Sequence, residues 1–242
     1  MSDLRSDRSG SVTDRVMVAG GLGLMVLFGA GILVAGFLPP ISPDLSAEQV
    51  AAVYTEDANR IRAGSILMLA GACFAIPFFA SISAAMRRMR GGLDGLCLAQ
   101  AIAGAIATLV FTIPVLFFAA AAYRPAERDP QLTQAINDIG WFFFLMNVWT
   151  VTIQAVIIAV AVFSDPAPEP VFPRWVGYVN IWCALAFIPG GFLCFFRTGP
   201  LAWDGALSWW LAATFFFLWI AMLSWAGMRA NSRSTDTSEV VA

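Results

Sequence analysis

Six stretches of this chain, residues 16–38, 63–86, 96–122, 139–163, 175–196 and 206–228, contain no Asp, Glu, Lys or Arg. Each is long enough to cross a bilayer, whose hydrocarbon of about 30 Å takes roughly 20 residues of helix. A helix satisfies all its backbone polar groups internally, which lipid demands. The expected fold is therefore all-α: a polytopic transmembrane helix bundle of about six spans, with short outer interfacial helices. The composition agrees, with 59% hydrophobic and 12% charged residues against roughly 45–50% and 25% for soluble domains. The transmembrane domain is expected over 16–228. The polar tails, 1–15 and 229–242, are expected to be disordered, because they offer too little apolar surface to offset ordering.

The first run has 23 apolar residues followed by Pro39-Pro40. It exceeds a secretory h-region of about 7–15 residues and lacks a small-residue cleavage site, so it reads as an uncleaved span. Arginine asymmetry sets the orientation. Of the 14 basic residues, all Arg, nine lie on the side of the termini (5, 8, 15, 87, 88, 90, 174, 229, 233) and five opposite (60, 62, 124, 128, 197). Both termini are expected in the cytoplasm, with the chain in the cell (inner) membrane.

The connections carry local signals. Ser46-Ala47-Glu48-Gln49 has the form of a capping box, with Val50, Val53 and Tyr54 forming an apolar face behind it, which predicts a short interfacial helix. Asp129-Pro130 places a capping acid and a helix-starting proline ahead of 131–138, so the fourth span is expected to stand above the membrane. Four prolines between 164 and 174 predict a stiff extended connector. Pro77, Pro114 and Pro189, each preceded by Ile, are expected to kink their spans.

Much chemistry is absent. The chain has no His and no Lys, which removes the commonest metal ligand and any Schiff base. The four cysteines lie in apolar runs without metal-site spacing and read as small packing residues. No metal or cofactor is expected. With a net charge of -2 and scattered arginines, nucleic acid is not an expected partner. No ionisable group lies inside a span, which argues against carriers that rely on a midplane carboxylate.

The candidates that remain fall into two groups. Asn147, Thr150 and Gln154 share one face of the fourth span. With Gln100, Tyr178 and Asn180 across the interior and the deep Trp149 and Trp182, they suggest a lined pocket; helix-to-helix hydrogen bonding is the alternative use of such groups. On the outer rim, Glu56, Asp138 and Asp204 are candidate general acids, since a carboxyl in apolar surroundings has its pKa raised. Trp141 and Arg62 stand beside that rim. Glu56 is also spaced to pair with Arg60. On a regular helix, Asp138 and Asn147 face opposite sides, so rim and strip are separate sites.

In size, acid placement and lack of metal ligands, the chain resembles the small polytopic terpene cyclases of bacterial and fungal meroterpenoid pathways. That resemblance implies a lipophilic, isoprenoid-type substrate and carboxyl general-acid catalysis, with aromatic rings stabilising cationic carbon. It is one of layout: six spans stand where seven are typical, and no catalytic position is carried over. The other open reading is a non-enzymatic carrier or an accessory subunit, for which Gly20, Gly23, Gly29 and Gly31 offer a stripe for close helix approach. Membrane lipid and a lipophilic small molecule are the expected partners.

Overall fold

The computed structural model describes the backbone of residues 2–240 and the side chains of residues 16–232. The described residues form helices and connecting turns, and six helical stretches are long and apolar enough to span a membrane: Val16–Ala35, Ala58–Met86, Asp94–Ala121, Pro130–Ser164, Arg174–Phe195 and Ala206–Ser232. The chain is an integral membrane protein of the polytopic helical type. The first span is α1 (Ser2–Ala35), and α2 (Ala47–Glu56) is the interfacial helix. The second span is α3 (Ala58–Cys73) with α4 (Ala75–Met86), and the third is α5 (Asp94–Ala121). The fourth joins α6 (Pro130–Trp141) to α7 (Val148–Ser164), the fifth contains α8 (Arg174–Phe187), and the sixth contains α9 (Ala212–Val240). Each span packs on the next in chain order and the sixth returns to the first, closing a ring.

Close backbone approach holds the first two spans together. A Cβ on Gly31 would lie 2.7 Å from the Gly64 carbonyl oxygen, and one on Gly64 would lie 2.5 Å from that of Gly31. Gly71 meets the Phe28 backbone, and Gly20 meets the Phe74 carbonyl. With lipid as solvent, contact of this kind supplies helix association that the hydrophobic effect does not. The glycine stripe of α1 is thus used largely within the bundle, against the second span.

Helix ends follow elementary capping rules. Gly36, at φ +74°, ends α1. The Gly36 N–H donates to the Leu33 carbonyl and the Phe37 N–H to the Ile32 carbonyl, the two bonds of a Schellman motif. The capping box is present, with Gln49 N–H to Ser46 Oγ at 3.3 Å and Ser46 N–H to Gln49 Oε1 at 2.8 Å. Asp129 accepts from the Gln131 N–H at 2.8 Å. Of the three prolines, Pro114 lies within continuous helix, the second span breaks at Phe74 ahead of Pro77, and Pro189 begins a 3-10 stretch, Ile188–Phe195.

Three expectations need correction. The tails 1–15 and 233–242 lie outside the residues whose side chains are described, but 229–232 are helical, with Ala230 and Asn231 buried. Asn231 is buried and accepts from Arg88 at 2.7 Å, so the helix has a polar partner where the apolar run ends. Arg60 pairs with Asp57 at 3.0 Å rather than with Glu56, because α2 ends at Glu56 and i,i+4 spacing needs one continuous helix. The fourth span is not uniform: Phe142–Met146 is a π-helical turn. Its extra residue rotates the register by about 100°, so Asp138 and Asn147 are not on opposite faces for the reason a regular helix would give.

The tight Gly31–Gly64 contact makes a stability prediction. Gly64→Ala forces backbone apart and should destabilise the bundle by about 1–3 kcal/mol, read as a lowered thermal midpoint in detergent. Gly95→Ala, where the added Cβ meets nothing within 4 Å, should leave the midpoint unchanged or slightly raised.

Candidate ligand cavity and its polar rim

The half of the bundle away from the termini, called distal here, departs from regular helix in three spans. The π turn of the fourth, the 3-10 stretch of the fifth and a second π turn, Ala206–Leu211, that opens the sixth all touch one another in sequence. Glycines let them approach: a Cβ on Gly190 would lie 3.1 Å from the Leu145 carbonyl, and one on Gly191 would collide with the Trp149 ring. Non-α turns in a spanning helix are characteristic of functional regions.

Beside these segments lies a cavity of about 240 Å³. Its walls are Phe28 and Ile32 of α1, Val110 and Phe111 of α5, Phe144 and Leu145 of the first π turn, Val148 and Val151 of α7, Phe187 of α8, and Trp209, Ala212 and Phe216 of the sixth span. No charged or amide side chain contributes. Leu33, 60% exposed, and the exposed Leu38 also line it, so it opens to the lipid-facing exterior. Near the termini, α1 and the sixth span pack tightly, with Gly21 against Ser224 and Gly227 against Val18, while the last such approach towards the distal end is Gly29 on Phe217. The opening lies beyond it.

Trp209 is 3% exposed and shares the wall with Phe144 at a ring separation of 6.1 Å, and its ring lies 5.7 Å from that of Trp141. Its indole N–H has no hydrogen-bond partner among the described residues. Buried indoles ordinarily have one. Trp219, behind the cavity against Phe187 and Phe216, follows the rule by donating to Asn180 Oδ1 at 2.7 Å.

Above the cavity is a polar knot that joins α2 to the fourth span. Asn137 Oδ1 accepts from the Tyr54 hydroxyl and from the Trp141 indole, both at 3.1 Å, and Asn137 Nδ2 donates to Asp138 Oδ1 at 3.1 Å. Tyr54, Asn137 and Trp141 are fully buried or nearly so, and Asp138 is part-buried. Burial, with the neighbouring Asp138 carboxylate second, pushes the Tyr54 phenol well above its ordinary pKa, so Tyr54 is a fixed donor. The loop after α1 is tied over the same region by Trp203, whose indole donates to the Ile41 carbonyl at 2.7 Å, and by Arg197 on the Pro43 carbonyl.

The sequence candidates fall in different places. Asp138 is in the knot; Glu56 is exposed on α2 and Asp204 is part-exposed on the turn before the sixth span, neither with a hydrogen bond or ion pair among the described residues. No hydrogen bond links the three. Arg62 donates to the Ala122 and Tyr123 carbonyls at 2.9 and 3.0 Å, capping α5 together with Arg128 on the Ala120 carbonyl. Asn147 accepts from Thr150 at 3.1 Å within its own helix. Gln154 is fully buried with neither amide atom partnered among the described residues, one turn below Val151 of the cavity wall. Gln100 is buried on the Ser83 hydroxyl.

Asn180 points inward, but Tyr178 and Trp182 are 61% and 63% exposed. Two residues correspond to 200° of helix, so Asn180 excludes both from the interior. Trp149 is exposed and packs against Gly191 and Phe192 outside the cavity. Sequence reasoning missed Trp209 as a wall residue, and also Asp165. That carboxylate, 1% exposed, accepts backbone N–H groups of Arg90, Ala167 and Val171. It ties the two terminus-side loops together, and the Asp-Pro step that starts such a turn is its sequence signal.

Among the described residues, no group of three or more His, Cys, Asp or Glu is placed to hold a metal ion. Comparison with protein-family models, curated proteins and solved structures finds no match to this chain.

The knot is testable through stability. Asn137→Ala leaves the Tyr54 hydroxyl and Trp141 indole buried without their acceptor and should destabilise by about 1–3 kcal/mol per orphaned group. Denaturation in detergent should show that loss, whereas Asp138→Asn, which keeps the Asn137 acceptor, should cost less than half as much.

Proposed function

We propose that this membrane protein binds a lipophilic molecule, of isoprenoid type, in the distal cavity, and that the molecule enters sideways from lipid between α1 and the sixth span. The observation that carries the reading is an apolar, aromatic-walled volume with a lipid-facing opening, the form in which apolar ligands are commonly held. An apolar cavity of about 150 Å³ admits benzene. By proportion, about 240 Å³ admits roughly ten carbons, or two isoprene units. A longer chain would extend through the opening.

Acid-catalysed cyclisation or isomerisation of that molecule is a second reading, favoured by the part-buried Asp138 carboxyl in the knot that packs through Trp141 beside the aromatic wall. Catalysis in this form requires Asp138 to be protonated and the reacting double bond to reach it. A carrier that presents the bound molecule to another membrane protein needs only the cavity. An accessory role through the α1 glycines has less support, since the second span already occupies most of them.

Binding is tested by titrating detergent-purified protein with farnesol. Saturable binding is expected, and Ala212→Phe, which fills the cavity, should weaken it at least tenfold without lowering the thermal midpoint; unsaturable uptake equal in both proteins would end the binding reading. Incubation with farnesylated acceptors, followed by chromatography of mass-matched products, separates enzyme from carrier. A cyclised isomer lost in Asp138→Asn supports catalysis, whereas no isomer with any acceptor leaves a carrier.

Orientation completes the proposal: both termini lie in the cytoplasm of a cell whose inner membrane holds the protein, supported by the arginine asymmetry. Cysteines introduced at the exposed positions 87 and 127 should be protected from and open to external impermeant reagent, respectively. The reverse pattern would overturn the orientation.

A further inference from the structure

We infer that the cavity takes the hydrocarbon end of a prenyl-chain amphiphile, and that the polar end of the molecule stays outside, at the distal membrane surface. The inference rests on the binding reading above and adds which part of the molecule the protein recognises. It follows from where the cavity opens and how deep it runs. The first span ends at Ala35. At 1.5 Å per residue, the exposed Leu33 at the opening lies about 3 Å from that helix end, and Leu38 follows the end in the chain. The inner wall includes the buried Val110, which α5 carries about 16 Å below its own distal end at Ala121. The cavity therefore runs from the depth where headgroups and water begin to near the middle of the membrane.

The wall offers nothing to a polar group. Every lining side chain is aliphatic or aromatic. The indole nitrogen of Trp209, the one polar side-chain atom among them, is enclosed by the protein with almost no surface to meet a ligand. An alcohol or carbonyl placed inside would give up its hydration without a partner, and a phosphate would in addition lack a counter-charge. Hydrocarbon gives up no hydrogen bond there. The volume of about 240 Å³ holds roughly two isoprene units by the proportion used above. A farnesyl chain would fill it with its last two units and carry its head out past Leu33 and Leu38. Selectivity then resides in how the chain end fits Phe111, Phe144 and Phe216, and the head is free to vary.

The test uses purified full-length protein in detergent and three probes built on one chain: farnesol, farnesyl phosphate, and farnesol carrying a second hydroxyl on its hydrocarbon terminus. Affinity is read from displacement of radiolabelled farnesol, with each probe expressed as its mole fraction in the micelle. Farnesol and farnesyl phosphate should agree within about threefold, no more than one weak net hydrogen bond, since both heads stay at the interface. The terminal hydroxyl should weaken binding about tenfold or more, because it is buried without a partner. Both expectations concern the wild-type protein, so neither depends on a variant that must fold.

A terminal hydroxyl tolerated without loss overturns the inference while leaving the binding reading intact, as does discrimination of about tenfold or more between the two heads. Farnesol that fails to saturate the wild type overturns the two together. Straight-chain dodecanol bound as tightly as farnesol would overturn the prenyl chain in favour of an acyl one.

Discussion

Helices that carry no charge and lie in lipid are held together by how closely their backbones fit, and the Gly31–Gly64 contact is where this chain fits most closely. It fixes the first span on the second, and near the termini Gly21 and Gly227 bring the sixth span in from the other side. Towards the distal end α1 turns Phe28, Ile32 and Leu33 to the cavity, while the fourth, fifth and sixth spans leave regular helix. At the distal end α1 is held close to the second span by Gly31 and Gly64 but stands off the sixth, and the cavity lies on that side.

The same lack of water explains where the arginines work. Final helix carbonyls need partners, and guanidinium groups provide them. Arg62 and Arg128 cap α5, and Arg174 donates to the Val162 and Phe163 carbonyls at the end of α7. Several charges that make the termini of the spans look like candidate site chemistry are thus used to end helices. What is left for a ligand is an apolar, aromatic wall.

Much of the architecture is legible in the sequence because charge-free length and capping residues act locally. The six spans, the Ser46 capping box and the Asp129 cap can be read residue by residue. Which face of a span points inward cannot, because lipid accepts apolar side chains as readily as the core does, so Tyr178 and Trp182 look as interior as Asn180 until helix geometry separates them. The π turns carry no local signature, and they carry Phe144 and Trp209 into the cavity wall. Asp138 is recognisable as a partly desolvated acid, yet its link to the wall runs through Asn137 and Trp141, a path set by how α2 packs on α6. Side-chain identity shows which groups are available, and tertiary packing decides which of them meet.

The central claim is that the distal cavity exists in lipid and is occupied by a lipophilic molecule. A density map of the protein purified into lipid nanodiscs from its own membrane tests it most directly. The account predicts elongated density between Phe111, Phe144 and Phe216 that reaches Trp209 and continues outward past Leu33. A collapsed cavity, with the distal half of α1 packed against Ala213 and no density between them, would contradict it.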